Sequence, residues 1–350
     1  MAKTLFILLS VFYVALSLNC LDNSGNSVPW LTFIKPPQVA YAPPLPGKSY
    51  SFLTPNHMTA EIESQPLNVS SPITYTLNQF NTDSSISVLF YNDGVPPNST
   101  NYNNYVGHTK GILAYTSTQA IYIIHSFPNF PYYNSTTGKV MLDIFQSETY
   151  YGQNLMCLQI SPQTLFNLAG LMTINKPQVY YSRIITPNSN ITLLVQNQTT
   201  LQASTVSYSF SVDGNTFTYL ARSAAANLDF WEDVVSKYYK DSFYVQSWGR
   251  PYMPGYCPPD EAYTNLNVDE LTIKKYWWYG YDDHSKWGIA VGQTVLCYAD
   301  INRMYSQASR GGGGVCTNFP SLYTVHKAIV ETTDPCGQTF VGKKLQEINN

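Results

Sequence analysis

The residues of this 350-residue chain best suited to chemistry are two His-x-Lys triplets. One is His108-Thr109-Lys110, followed by Gly111; the other, His284-Ser285-Lys286, lies between Asp283 and Trp287. Side chains two apart on an extended strand share a face, so each triplet presents an imidazole and an ammonium side by side. Imidazole can attack as a nucleophile or carry a proton near neutral pH. Lysine is a compact positive charge suited to a phosphate oxygen. Two such pairs meeting at one place could hydrolyse a phosphodiester through a covalent intermediate.

The elements that must position the triplets also correspond. Gly111-Ile-Leu-Ala-Tyr115 follows the first, and Trp287-Gly-Ile-Ala-Val291 the second. Each then meets a polar break and an apolar run opening on glutamine, Gln119–His125 and Gln293–Asn302. Both units read as strand, turn, strand. His125 stands 17 positions after His108 and Asn302 stands 18 after His284, so each hairpin is expected to return a polar residue beside its own triplet. This diverged internal repeat predicts two halves facing each other across one site.

Seven segments in order extend the pattern. They are Leu89–Asp93, Gly107–Gly111, His125–Pro131, Tyr151–Gln153 leading to Cys157, Asp283–Trp287, Asp300–Arg303 and Arg310–Cys316. On these segments the chain resembles the deoxyribonuclease II family of the phospholipase D superfamily; residues 175–250 match poorly, and Ala299 replaces a usual glycine. The resemblance implies an α+β, phospholipase D-like fold of two pseudo-repeated halves, with a large sheet core flanked by helices. It implies an acid endodeoxyribonuclease that cleaves double-stranded DNA without metal or cofactor, through a phosphohistidine, leaving 3′-phosphates. His108, Lys110, His284 and Lys286 would be catalytic, with His108 the nucleophile and His284 the general acid. His125, Asn302 and Arg303 would bind substrate. Disulfides Cys20–Cys157, Cys257–Cys336 and Cys297–Cys316 follow from the same resemblance.

Lys3 and the apolar run from Leu5 to Val14, ending on Ala15-Leu-Ser17, read as a secretory leader over residues 1–17, too short to span a bilayer. Residues 18–175 and 176–350 would then be the two halves, each carrying one triplet. Export to a secreted or lysosomal destination fits six cysteines in an oxidising route, which by number alone allow fifteen pairings. Sequons at Asn68, Asn98, Asn134, Asn190 and Asn197 fit a glycosylated surface. No membrane contact is expected of the mature chain, as monomer or homodimer.

Hydrophobic residues reach 44% with 29 tyrosines, against 12% charged, which is globular and not disordered. Nineteen basic and 22 acidic residues give a net −3, and −4 once Lys3 leaves. That balance opposes DNA at neutral pH and relaxes below the pI of about 5.9. Strands are expected at Trp30–Ile34, Ile86–Tyr91, Val179–Ile185 and Ile191–Gln196, with a hairpin at Asp213-Gly214. Helices are expected after Ser161-Pro162, from Asp229 to Lys240 and after Pro320. The Pro-rich stretch 36–46 reads as a loop, and Gly311–Gly314 as a tight turn into Cys316. His57 and His326 read as supporting residues. Asp282, Asp283 and Asp300 are weak metal ligands, because adjacent aspartates point to opposite faces of a strand.

Two other functions compete. A catalytically silent secreted glycoprotein binding DNA or a host or cell-surface partner would be expected to lose a His or Lys, and this chain keeps all four. A phospholipase D-type lipid hydrolase shares the paired chemistry but not the cysteine framework or the His125–Pro131 stretch.

Overall fold

The computed structural model describes residues 17–39, 43–97, 103–142, 146–198, 202–249, 253–259 and 261–337. The leader up to residue 16 and the Asn98 sequon lie outside them. Two large sheets dominate, giving an α+β architecture.

The first sheet contains β1 (Trp30–Lys35), β2 (Ser51–Leu53), β3 (Ser87–Asn92), β4 (Lys110–Tyr115), β5 (Ala120–His125), β6 (Gln153–Ile160) and β7 (Val179–Arg183). Its order is β7-β3-β4-β5-β6-β1-β2, all antiparallel. The second contains β8 (Thr205–Val212), β9 (Asn215–Arg222), β10 (Phe243–Gln246), β11 (Asn265–Ile273), β12 (Tyr276–Tyr279), β13 (Trp287–Ala290), β14 (Val295–Ala299), β15 (Gly312–Asn318) and β16 (Val330–Thr333). Its order is β8-β9-β15-β14-β13-β10-β11-β12, with β16 also on β11, and β10–β11 is its parallel pair. The first sheet thus draws strands from Trp30 to Arg183, so it runs past the division expected at residue 175.

Period-two alternation assigns each strand to two apolar layers at once. Leu113 and Tyr115 of β4 share a core with Leu296 and Tyr298 of β14, whereas Ile112 and Ala114 belong to a core on the far side of the first sheet. Cys297 and Ala299 of β14 belong likewise to a third core behind the second sheet, under Phe230, Trp231 and Val234. Covered on both faces, β3, β4 and β5 are fully buried, and their interiors are apolar, with polar residues such as Asn92, Lys110 and His125 at their ends. Cys20–Cys157, Cys257–Cys336 and Cys297–Cys316 are bonded, the last across facing positions of β14 and β15.

Helix α1 (Pro72–Thr82) has no counterpart in the sequence expectations. Its Thr and Asn content gives weak helix propensity, and it is set instead by a Ser71 capping box and by Ile73, Leu77 and Phe80 buried against the outer core. Helix α2 (Pro162–Met172) begins as expected at Ser161, whose hydroxyl accepts from the Thr164 amide, a cap contributing about 1 kcal/mol. The strand expected at Ile191–Gln196 is instead helix α3 (Ser189–Val195). Asn188 caps it by accepting from the Asn190 and Ile191 amides, and Ile191 and Leu194, three apart, are its buried face. The Asp229 segment is helical from Phe230 to Tyr239, with π-type bonding as far as Ser236. Helix α4 is Pro320–Lys327.

The glycine run is not a turn. Gly312–Gly314 open β15, where a Cβ on Gly313 would lie 2.7 Å from the Leu220 carbonyl and one on Gly314 2.7 Å from that of Tyr298. The glycines therefore serve close strand approach. Among the described residues no helix is long and apolar enough to cross a membrane.

Candidate active site

The ends of β4 and β13 meet at an open cleft of about 700 Å³ whose lining includes His108, Lys110, His284, Lys286, Asn302 and Arg310. The four residues of the two triplets that carry chemistry therefore converge.

On one side of the cleft, β3 ends with Asn92 paired to Lys110, so the next residue, Asp93, falls beside the lysine ammonium. Asp93 is buried. Lys110 Nζ donates to its Oδ1, Arg310 Nη2 donates to its Oδ2 at 2.9 Å, and His108 Nε2 lies 3.9 Å from Oδ2. Burial alone would raise the Asp93 carboxyl, but Lys110, His108 and Arg310 hold it well below the usual carboxylate range. His108 Nδ1 bonds the main-chain carbonyl of Asp300. A carbonyl only accepts, so Nδ1 carries the proton and the neutral ring keeps its lone pair on Nε2. Burial, then Lys110, Lys286 and Arg310, push the His108 pKa well below its ordinary value against the pull of Asp93.

On the other side, the His284 ring stacks on Tyr151 with centroids 3.9 Å apart and planes at 17°, and Trp248 lies against it at 4.9 Å. Lys286 is buried, with Nζ donating to the His284 carbonyl. Burial first, then Lys110, lowers its ammonium to about 7. Asp283 points beneath the site, where its carboxylate accepts from Trp278 Nε1 and the Ser285 amide, each at 2.8 Å.

Each side is held by the opposite sheet's residues. The His108 amide donates to the Gly311 carbonyl at 2.9 Å, and the His284 amide donates to that of Gly152 at 2.9 Å. Asn154 and Lys286 bond reciprocally through the Asn154 side chain, at 2.9 and 3.3 Å. Arg310 also donates to the carbonyls of Val106, Asn103 and Gly107. A cleft knitted from both sides holds its reactive groups in place before substrate arrives.

The three residues expected to bind substrate are placed differently. Asn302 lines the cleft, nearly buried, with no hydrogen-bond partner for its Oδ1. His125 is fully buried behind Lys110, edge-on to Phe130 at 4.9 Å, and burial lowers its pKa strongly. Arg303 does not reach the cleft. It is fully buried, donating to Met253 O, Asn267 Oδ1 and Pro254 O, with Tyr256 against its face, so its donors hold the 253–267 region together. Asp300 orients His108 through its carbonyl while its carboxylate accepts from the Gly313 amide.

Sequence reasoning missed Asp93, Tyr151 and Trp248 as site residues. Asp93 and Tyr151 sat inside segments carrying the resemblance, but nothing in their local pattern marks a buried ion-pair centre or a stacking platform. Asp282, Asp283 and Asp300 do not converge on a metal position. Among the described residues the grouping that could hold one is His57, Glu61 and Glu63, none of which lines the cleft.

Two histidines and three basic side chains on one cleft define an enzyme that handles phosphate esters. A family sequence profile described as Deoxyribonuclease II matches residues 19–336. The chain belongs to the deoxyribonuclease II family, and so to the DNA-degrading nucleases. It is similar to "Putative deoxyribonuclease-2" of Burkholderia thailandensis, 29% identical over 89% of this chain and 91% of that one. It is also similar to "Cell death-related nuclease 6" of Caenorhabditis elegans, 26% identical over 93% and 91%, and to "Deoxyribonuclease-2-beta" of Mus musculus, 26% identical over 92% and 96%.

Proposed function

We propose that this chain is an acid endonuclease for double-stranded DNA that works through a phosphohistidine and without metal, on a phospholipase D-like pair of pseudo-repeated halves. The observation that carries the reading is the convergence of His108 and His284, from the segments leading into β4 and β13 of separate sheets, on one cleft with Lys110, Lys286 and Arg310.

His108 Nε2 attacks phosphorus while the P–O5′ bond breaks, and His284 gives its proton to the departing O5′. The 3′-oxygen stays on phosphorus, bound now to Nε2. Lys110, Lys286 and the Asn302 amide neutralise the non-bridging oxygens. Water, deprotonated by His284, then displaces Nε2 and leaves a 3′-phosphate. A depressed His108 pKa keeps the nucleophile available in acid, where the protein's net negative charge no longer repels DNA. The leader, the three disulfides and the sequons at Asn68, Asn134 and Asn197 support a secreted or lysosomal glycoprotein.

Plasmid cleavage at pH 5 in EDTA, followed by end analysis, tests the proposal. Nicking that persists in chelator and leaves 3′-phosphates is expected. Complete loss in EDTA with recovery on adding magnesium or calcium would sink the metal-free mechanism.

A further inference from the structure

Lys35 is a fully buried lysine that the reaction above does not use. It stands opposite Gln153 in the β1–β6 ladder, with Nζ donating to the Tyr151 carbonyl at 2.6 Å and to the Pro36 carbonyl at 3.3 Å. Burying an ammonium is costly, so such a side chain is retained where its donors hold something in place. Here one of them holds Tyr151, which with the following Gly152 is what His284 rests against. The Tyr151 ring stacks on the imidazole, and the Gly152 carbonyl accepts from the His284 amide while its own amide donates to Asp282 O at 2.9 Å.

The segment has no slack on its other side. A Cβ on Gly152 would lie 2.3 Å from the Asp283 carboxylate, so residues 151–152 are pressed between Lys35 and Asp283. Burial lowers the Lys35 ammonium to about 7 against Asp283 and Glu148. Both the ammonium and the neutral amine donate hydrogen bonds, so the hold on Tyr151 survives either state.

We propose that Lys35 is a positioning residue for His284: by fixing the Tyr151 carbonyl it sets the aromatic face that aims the imidazole at the departing oxygen. The inference rests on the reading of His284 as the general acid. It predicts a defect confined to leaving-group protonation, which a loss of general packing would not produce.

The test compares DNA with thymidine 3′-(p-nitrophenyl phosphate), whose p-nitrophenolate leaves without a proton. Lys35→Met keeps length and removes the donors. Tyr151→Ala, at a half-buried position, is the second variant should the first fold poorly. Each is expected to lower kcat on DNA by about 10–100-fold, the usual effect of a supporting partner, with KM little changed. The nitrophenolate burst should stay within about threefold of wild type, on the premise that the acid is dispensable for this leaving group. His284→Ala is the control. If it slows both substrates equally, the acid role itself fails and the Lys35 proposal with it. If His284→Ala spares the burst but Lys35→Met and Tyr151→Ala slow both substrates equally, or slow neither, the Lys35 proposal alone is overturned.

Discussion

His108 and His284 each stand two residues before a lysine that leads into an antiparallel hairpin, yet different groups pack beside them. In the first sheet Lys110 pairs with Asn92, and the next residue is Asp93. In the second, the β10–β13 ladder ends at Gln246–Trp287, and Trp248 follows two residues after Gln246. A carboxylate thus lies beside His108 and an indole beside His284. His108 is fixed through Nδ1 and ringed by charge; His284 is held through its backbone and packed between aromatic rings. A nucleophile gains from a defined tautomer and a counter-charge for the imidazolium side of its cycle. An acid that donates once and then accepts gains from a platform that fixes its ring. In the proposed mechanism this contrast suits His108 to attack and His284 to proton transfer.

The sharpest way to break this comparison is to remove each imidazole. His108→Ala and His284→Ala should each lower DNA cleavage by about three orders of magnitude or more, as happens when groups act as a unit. They should differ in what accumulates. With thymidine 3′-(p-nitrophenyl [³²P]phosphate), whose leaving group needs no acid, the His284 variant should trap label on protein, whereas the His108 variant should trap none. Trapping by the His108 variant alone would reverse the two roles.

Asp93→Asn should have the next largest effect, because Lys110, Arg310 and His108 share this one carboxylate. A drop of about 10²-fold in kcat/KM is expected, with a stability loss of roughly 3–5 kcal/mol from cations left buried without a partner. The sign of the pH shift is informative. Asp93 raises the His108 pKa, so its removal should move the acidic limb of kcat/KM to lower pH. Movement to higher pH would mean that the limb belongs to another group.

How much of this was legible beforehand follows from the range of each interaction. The triplets, hairpins, capped α2 and Asp213-Gly214 hairpin were readable because each is written within a few residues; Asp213 and Gly214 take the positive φ values that such a two-residue turn demands. Helix α3 was misread because Ile191-Thr-Leu-Leu-Val195 looks like a strand until Asn188 caps it. The register of the hairpins was also out of reach. Spacing suggested that His125 and Asn302 were equivalents, but His125 directly follows Ile124, the partner of Gly111 in the β4–β5 ladder, while Ala299, three residues before Asn302, bonds Lys286. Arg303 was misassigned because its partners, Met253, Pro254 and Asn267, are 36 to 50 residues away in sequence. Asp93's ion pair with Arg310 spans 217 residues. Contacts between sheets leave no local pattern.

His326 offers the smallest test, since it shares the fold with the two reactive histidines but none of their chemistry. It is fully buried in α4. Its Nδ1 donates to the Leu322 carbonyl at 2.9 Å and its Nε2 accepts from the Tyr298 hydroxyl at 2.7 Å, so both nitrogens are satisfied by the neutral ring. Burial lowers its pKa to about 4. The unfolded chain takes up this proton near ~6.5, so the folded state binds it more weakly. The stability that His326 contributes is therefore complete above ~6.5 and is lost progressively as pH falls toward about 4. By pH 5 the loss should be about 2 kcal/mol. Urea unfolding of His326→Gln at pH 7 and pH 5 should show a smaller decline between the two than wild type, with the pH optimum of cleavage unmoved. Asp93 acts in a lower window. Its folded pKa is depressed from an ordinary value near ~3.9, so its contribution is intact at pH 5 and fades only in stronger acid. A wild-type protein equally stable at pH 7 and pH 5, with the variant matching it, would show that His326 is already charged in the fold. Buried neutrality would then be special to the cleft, not general to this core.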